Sequence, residues 1–476
     1  MDYLIKSENP STVWVSHKLI DEKLDANYMN SKFIKNLDDL YLKLSDSIKI
    51  VNNGDIIEEL TDFTANGSFS SLSKNVEYAD RKGIPFIRIK NMSQIDIVKE
   101  DLKYITEDTY MYLKKSKLFE GDVLYSKTGA NLGLAMVFPE DFGRASLADN
   151  IFKVRYKDSV DNSYVAIFLN CKYGKMWTER FSQGSAQPTI IKENFKKIKI
   201  PLPDISTQLQ IGNKLRKARI LRDQAIKLQG DAENIIDKYL SDNIDMESKY
   251  SAHYVNTIDI EERLDSEYYD LKYINVLQKL KNTNYKLKSI KYLCDNNVKN
   301  GKTYKVSNSK SKYINVGVGE LDNYYVEKNP EKFISENINE KNIMQKYDIL
   351  WGNAAHLAKY IGEKVNINLD ENLYVPTTEI TFIRPNIEKI NPYYLFLYMK
   401  SKWGYHQIQR TVKGMTAHSY PEDISKIVVP IIQFNEDELI KMKMAVEGGY
   451  KNIIESDKLM KEAIKDMEAL IEGKEY

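Results

Sequence analysis

Residue types that perform covalent chemistry are present in this 476-residue chain, but their spacings point away from catalysis. The histidines, His17, His253, His356, His406 and His418, form no His-Glu-x-x-His pair, and none stands at zinc-binding spacing from a cysteine. Cys171 and Cys294 are too few for a disulfide framework or a metal cluster. Gly301-Lys-Thr303 ends like a phosphate-binding loop, but Asn296 stands where that loop requires its first glycine. There is no Gly-x-Ser-x-Gly elbow, and no carboxylate spacing singles out an acid–base pair. The expectation is a chain with no catalytic residues, no resident metal and no cofactor of its own.

One string invites a different reading. Asn391-Pro-Tyr-Tyr394 resembles the Asn-Pro-Pro-Tyr motif with which amino-methyltransferases hold a flipped base, and Val316-Gly-Val-Gly-Glu320 resembles their cofactor-binding glycines. The second proline is missing, however, and the glycine pair has no counterpart between Pro85 and Lys90, the stretch it matches earlier in the chain. Asn391 before Pro392 is better read as a helix start, with Asn as cap and Pro in the first turn. A self-contained AdoMet-dependent methyltransferase is therefore kept as the alternative.

What the sequence does offer is recognition chemistry on loops. Ser126-Lys-Thr-Gly-Ala-Asn-Leu-Gly133 follows a strand pattern and contributes Ser126, Lys127, Thr128 and Asn131. Its counterpart, Gly352-Asn-Ala-Ala-His-Leu-Ala-Lys359, contributes Asn353, His356 and Lys359. A second loop, with Gln183, Ser185 and Gln187, is matched by one with Lys413 and His418. A third, with Asn66 and Ser68, is matched by Lys302, Tyr304 and Lys305. Arg88, Lys90, Asn91 and Asn315, at two matched strands, complete the set. Asn and Gln can bond adenine bidentately, Lys and Arg can bond guanine, and hydroxyls can bond base or phosphate. Any one such loop is ordinarily a solvated turn. It is their recurrence, with changed letters at matched places, that makes them candidate DNA contacts.

The elements that must position these loops occur twice. Ser11 to Lys32 matches Ser251 to Lys272 at an offset of 251 − 11 = 240, pairing Val15 with Val255, Leu24 with Leu264, Asp25 with Asp265 and Tyr28 with Tyr268. Strand-like runs follow in the same order: Gly83–Lys90 with Tyr313–Gly317, Glu120–Tyr125 with Lys346–Trp351, and Asn150–Arg155 with Glu379–Arg384. Ser163–Leu169 and Pro392–Tyr398 read as matched helices, and Ile198–Pro203 matches Ile427–Ile432. Such a unit far exceeds the ~20–50 residues of a solenoid repeat.

Each half ends in a long polar helix with a coiled-coil seam. In the first, from about Ser206 to Leu240, the seam is Leu221, Ala225, Leu228, Ala232, Ile235 and Tyr239. In the second, Asn435 to Glu472, it includes Met442, Val446, Ile453, Met460, Ala463 and Met467. The two are expected to pack on each other. Net charge is only +1, but nine lysines face one acid between Lys281 and Lys312, and nine basic residues face two acids between Lys192 and Arg222. Local faces of this kind can neutralise phosphates although the whole chain is near neutral. With no basic-then-apolar leader and no membrane-length apolar run, a cytoplasmic protein is the default.

Taken together, Gly83-Ile-Pro-Phe-Ile-Arg88, Glu120-Gly-Asp-Val-Leu124, Gly184-Ser-Ala-Gln-Pro-Thr-Ile190 and Lys199-Ile-Pro-Leu-Pro-Asp204 running into its helix resemble the specificity (S) subunits of Type I restriction–modification systems. The resemblance covers nearly the whole chain. Arg263-Leu-Asp-Ser-Glu-Tyr-Tyr269 is similar to a string found in related S-like subunits of several defence systems, so another phage-defence or Type II system stays open. The resemblance implies an α+β fold with a pseudo-twofold repeat: two tandem target-recognition domains of mixed α/β type, separated by two long antiparallel coiled-coil helices. The expected boundaries are 1–205 for the first domain, 206–243 for the central spacer, 244–434 for the second domain and 435–476 for the C-terminal spacer. It also implies double-stranded DNA as ligand and two methyltransferase subunits as partners, which would bind AdoMet and methylate adenine. A translocating restriction subunit is a further candidate partner. About 35 helical residues at ~1.5 Å each would make a rod of roughly 50 Å, holding the two reading heads at a set separation.

Overall fold

The repeat is visible strand by strand. The computed structural model describes residues 4–6, 13–15, 30–44, 47–99, 101–184, 186–240, 255, 260, 263–322, 324–326 and 332–474. Most of the matched lead-in segments, 11–32 and 251–272, therefore lie outside the described residues, as does Ser185. The chain divides into two units, Met1–Leu221 with Ile454–Tyr476, and Arg222–Ile453.

In the first unit, Ala135–Val137, Val123–Ser126, Ile151–Tyr156 and Ile57–Asp62 form an antiparallel sheet in that spatial order. A second sheet sets Ile84–Ile87 parallel to Ala145–Leu147, and Lys199–Leu202 returns to pair with Lys49–Asn52. In the second unit, Asn366–Ile367, Ile349–Gly352, Ile380–Ile383 and Val298–Asn300 repeat the first order. Tyr313–Val316 runs parallel to Leu373–Pro376, and Val428–Ile431 pairs with Lys286–Ser289. Each matched run of sequence thus falls on an equivalent strand with an equivalent neighbour. A short helix follows each lead-in segment at its end, Asp39–Leu44 in the first unit and Leu271–Lys281 in the second.

Two helices support each sheet, Asn162–Asn170 with Lys172–Phe181, and Pro392–Lys400 with Lys402–Arg410. The first of each pair is apolar on all sides because all sides are covered. Asp161 caps one, accepting from the Tyr164 amide at 2.7 Å. Asn391 caps the other, accepting from Tyr393 and Tyr394 at 2.9 and 3.1 Å, so Asn391-Pro392 is a helix start. The sharp elbow between helices needs a residue without a side chain. A Cβ on Gly174 would lie 2.1 Å from the Phe168 carbonyl oxygen, and one on Gly404 would lie 2.4 Å from that of Tyr398.

A fully buried aspartate, paired with a partly exposed arginine, sits at the start of the central strand in each unit. Asp122 is fully buried and takes two bonds from the Arg155 guanidinium, at 3.1 and 2.9 Å. Asp348, also fully buried, meets Arg384 bidentately, with both bonds at 2.8 Å. The free oxygen of Asp122 accepts the Phe119 amide at 2.9 Å, and Asp348 likewise accepts that of Gln345 at 2.8 Å. The turn leading in requires a left-handed residue, supplied by Gly121 at φ +79° and by Tyr347 at φ +72°. Burial pushes both carboxyls above the usual carboxylate range, although the guanidinium groups offset part of the shift.

The long helices run Ile205–Leu240 and Glu436–Glu472. Within the second unit they are antiparallel: Lys238 meets Glu438 at 3.0 Å, while Asn452 meets Gln224 at 3.5 Å. Within the first unit Lys214 meets Asp466 at 2.5 Å. Ala225, Ala232, Met442, Val446, Met460, Ala463 and Met467 are buried as the seam predicts, and Leu221, Leu228 and Ile453 are half-buried. The inner face is wider than the predicted seam. Ile236 and Leu240 are buried more deeply than Ile235 and Tyr239, and Ile211, Leu215 and Ala218 extend the buried face toward the N-terminus. Within each unit the helix segments pack on the globular core as well as on each other, and this draws in a second stripe. Among the described residues, no helix is long and apolar enough to cross a membrane.

Replacing Arg384 with Ala leaves Asp348 buried without its counter-charge and is expected to cost about 3–5 kcal/mol in denaturant unfolding at neutral pH. A carboxyl raised in the folded state favours the protonated form there, so the loss shrinks as pH falls and grows as pH rises through the folded-state pKa. A pH-independent loss would count against an uncompensated buried charge.

Candidate nucleic-acid interface

Two of the three predicted loops in the first unit form one surface. The Gly129 amide donates to the Pro188 carbonyl at 3.1 Å and the Ile190 amide to the Lys127 carbonyl at 3.0 Å. The hydroxyls of Thr128 and Thr189 meet at 2.7 Å. Helix Lys172–Phe181 lies beneath, with Thr178 bonded to the Tyr125 hydroxyl at 2.7 Å. Gly129, Ala130, Lys175, Glu179, Ala186 and Gln187 line the open depression between the loops. Asn131, Gln183 and Gln187 are exposed there.

Lys127 is mostly covered. Its ammonium meets Asp62 at 3.0 Å and lies over the Phe152 ring at 5.4 Å. Lys192 meets the other oxygen of Asp62 at 3.1 Å. Burial works against the Asp62 charge, but the two ammonium groups outweigh it and hold the carboxyl below its usual range. Neither Asp62 nor Lys192 was singled out in the sequence. Asp62 follows two other acids, Glu58 and Glu59, and Lys192 opens a basic run, so nothing marks either one, and only the fold brings both to Lys127.

The second unit repeats the arrangement with different chemistry. Ala354–Ala355 pairs with Ala417–His418, and the Ser419 amide donates to the Asn353 carbonyl at 2.9 Å. Asn353, in the place of Lys127, is buried and donates to Thr381 Oγ1 and the Thr378 carbonyl, both at 3.1 Å. The Thr381 hydroxyl donates in turn to Asn300 at 2.6 Å. The strand registers place Asn300 where the first unit has Asp62, because Phe152 faces Asp62 and Thr381 faces Asn300. A neutral amide–hydroxyl chain thus replaces a buried ion pair. His356 and Lys359 are exposed on the same loop. Lys413 meets Asp423 at 2.6 Å, and the His418 ring stacks on Tyr420 at 6.4 Å. Met415, at the loop tip, is fully exposed.

The remaining candidates divide by environment. Ser126, Asn91 and Asn315 are buried, and the Asn91 amide donates to the Val98 carbonyl at 2.9 Å. Asn66 bonds Ser116 and the Phe63 carbonyl, both at 2.9 Å, while Ser68 caps helix Phe69–Asn75. Arg88 and Lys90 both turn to Asp101. These side chains fix their own loops. Lys302 and Lys305 are exposed, and Tyr304 accepts from Asn342 at 2.8 Å. The third loop of this unit reaches the others through Thr303, whose hydroxyl meets that of Thr378 at 3.1 Å.

Residues 43–223 match the family model of the Type I restriction modification DNA specificity domain. No curated protein matches in sequence. Among solved structures, a Type-I restriction-modification system S subunit from M. genitalium is 13% identical, with 90% of this chain and 96% of that one covered at a TM-score of 0.42. The HsdS subunit from Thermoanaerobacter tengcongensis is 12% identical, with 89% and 96% covered at a TM-score of 0.28.

The Asp62 cluster has a pH signature opposite to that of Asp348. A carboxyl lowered in the folded state contributes stability above its unfolded pKa of about 3.9 and loses it as pH falls through the folded value. Asp62→Asn is therefore expected to be less stable than the parent at neutral pH, with the two unfolding curves converging as the solution is acidified. A constant gap between the curves would show that Asp62 carries no linked charge.

Proposed function

We propose, from the match of residues 43–223 to the Type I restriction modification DNA specificity domain, that the chain is the sequence-reading subunit of a restriction–modification complex. Each unit reads one half of a split, asymmetric site in double-stranded DNA. The observation that carries this reading is the paired-loop surface built twice on the same strand order, with exposed Asn131, Gln183 and Gln187 on one copy and His356 and Lys359 on the other. These are residue types that bond base edges and phosphates. The buried candidates serve as supports for those that reach outward.

The chain itself is proposed to be non-catalytic and to bind no cofactor. Two methyltransferase subunits supply AdoMet and methylate adenine in each half-site, and a restriction subunit is a further partner. Exposed apolar side chains on the long helices, Leu209 and Ile220 in the first unit and Ile226, Ile440 and Met444 in the second, suit such docking. A self-contained methyltransferase is less favoured, because the Asn391 side chain is engaged as a helix cap.

Co-expression with the methyltransferase should yield one split, asymmetric methylated motif, read by sequencing modified bases. Asn131→Ala or Gln187→Ala should alter one half-site only, and His356→Ala or Lys359→Ala the other. Inserting about four residues, one helical turn, into both long helices should lengthen the unread gap and leave both half-sites unchanged. A symmetric or unsplit motif would overturn the assignment, and an unchanged gap would overturn the spacer role.

A further inference from the structure

A short strap in the second unit ends on the recognition loop. Arg263 lies within the lead-in segment 251–272 and points its guanidinium at the C-terminal end of helix Lys402–Arg410. It donates to three successive carbonyls, those of Arg410 at 3.2 Å, Thr411 at 3.3 Å and Val412 at 3.0 Å. Asp265 holds the same guanidinium from the other side, at 2.7 and 2.6 Å. Arg410 reciprocates, donating to the Tyr268 carbonyl at 3.2 Å and lying 3.7 Å over its ring, while Arg263 lies 4.6 Å from that ring. The Tyr269 hydroxyl closes the strap on the Arg263 carbonyl at 2.8 Å.

The two ends of the strap are held differently. Tyr269 is buried, but Leu264, next to Arg263, is 86% exposed, so at that end the polar bonds of Arg263 hold the segment. A helix C-terminus leaves carbonyls without partners and favours a cation, and the planar fork of arginine can serve several at once. The next residue in the chain is Lys413, where the recognition loop begins and closes on His418 through paired backbone bonds of 2.7 and 2.9 Å. The same helix steadies the other recognition loop, with Gln409 donating to the Ala358 carbonyl at 2.8 Å and Tyr405 to that of Lys359 at 2.8 Å. The first unit has a related clamp. Arg180 occupies the place of Arg410 (402 − 172 = 410 − 180 = 230) and meets Asp38 bidentately at 2.7 and 3.0 Å.

We propose that Arg263 is a positioning residue for sequence reading by the second unit: it fixes the exit of helix Lys402–Arg410 and so sets the aim of the Lys413–Ser419 loop without touching DNA. This rests on the DNA-reading function proposed above. The test uses the full chain assembled with its methyltransferase. Competition binding compares cognate DNA with DNA altered in one half-site at a time. The half-site belonging to the second unit is the one that His356→Ala disturbs.

Arg263→Ala should lower discrimination at that half-site by about tenfold, the order of one base mismatch, and leave the other half-site within about twofold of the parent. Arg263→Lys keeps the charge and the aliphatic stem but loses the fork. It should fall between parent and Ala, and it carries the test if Arg263→Ala does not fold. Equal losses at both half-sites would indicate general destabilisation and overturn the proposal, as would unchanged discrimination by a folded variant. If the parent complex itself recognises no split site, the DNA-reading function fails first and the proposal falls with it.

Discussion

The structure depends on a register, and a buried aspartate paired with an arginine sets it twice. Asp122 stands one residue before the strand Val123–Ser126, opposite Arg155, because Val123 faces Val154. Asp348 faces Arg384 in the same way, next to the Ile349–Ile383 pair. The far ends of these strands deliver Lys127 and Asn353, where the recognition loops start. A slip of one residue would turn every side chain of the strand to the opposite face and move the loop with it. Two buried charges are a costly way to obtain stability, since well-packed apolar residues commonly do as well or better. Their geometry suits a different task. A carboxylate that must meet a guanidinium and a backbone amide at once tolerates only one register.

Past that fixed point the two units diverge, and they do so in kind as well as in letters. The Lys127–Asp62–Lys192 cluster is held by charge, while Asn353, Thr381 and Asn300 are held by neutral hydrogen bonds. The scaffold therefore accepts either solution at the root of a recognition loop. An ion pair leaves a cation that an approaching phosphate can compete for. The neutral chain has no such competitor and fixes its loop whatever the ionic strength.

Much of this was legible in the sequence because it follows from periodicity and duplication. The β-branched runs, the capped apolar helices and the long polar helices appear where expected, and comparing the halves locates the loops. What was not legible is what the fold brings together. Asp62 lies 65 residues before Lys127 and Lys192 lies 65 after it, with nothing in either stretch to mark a partnership. Asn131 and Asn353 look alike as loop asparagines, yet one is exposed and the other is enclosed by threonines. The Arg263 strap could be seen as an unusual string, but its three carbonyl partners lie about 147 residues on and are backbone atoms, which no side-chain pattern reports. The inner stripe of the long helices is wider than the seam read from the sequence, taking in Ile236 and Leu240 beside Ile235 and Tyr239, because a two-helix seam ignores the globular core that covers the neighbouring face.

The way the recognition loops are joined explains how one scaffold can carry different readers. Loop meets loop largely through main chain: Gly129 with Pro188, Ile190 with Lys127, Ala354 with His418, and Ser419 with Asn353. Backbone bonds do not depend on side-chain identity, except where a turn demands glycine. That demand falls on Gly184 at φ +91° and Gly414 at φ +84° at matched places in the second loops, and on Gly129 at φ +78° and Gly133 at φ +88° in the first loop of the first unit. The exposed positions around these glycines can change without disturbing the register, the elbow glycines or the ion pairs at the buried aspartates. The residues that set where a loop sits are therefore separate from those that set what it contacts. A duplicated scaffold needs that separation if its halves are to read different sequences while folding the same way.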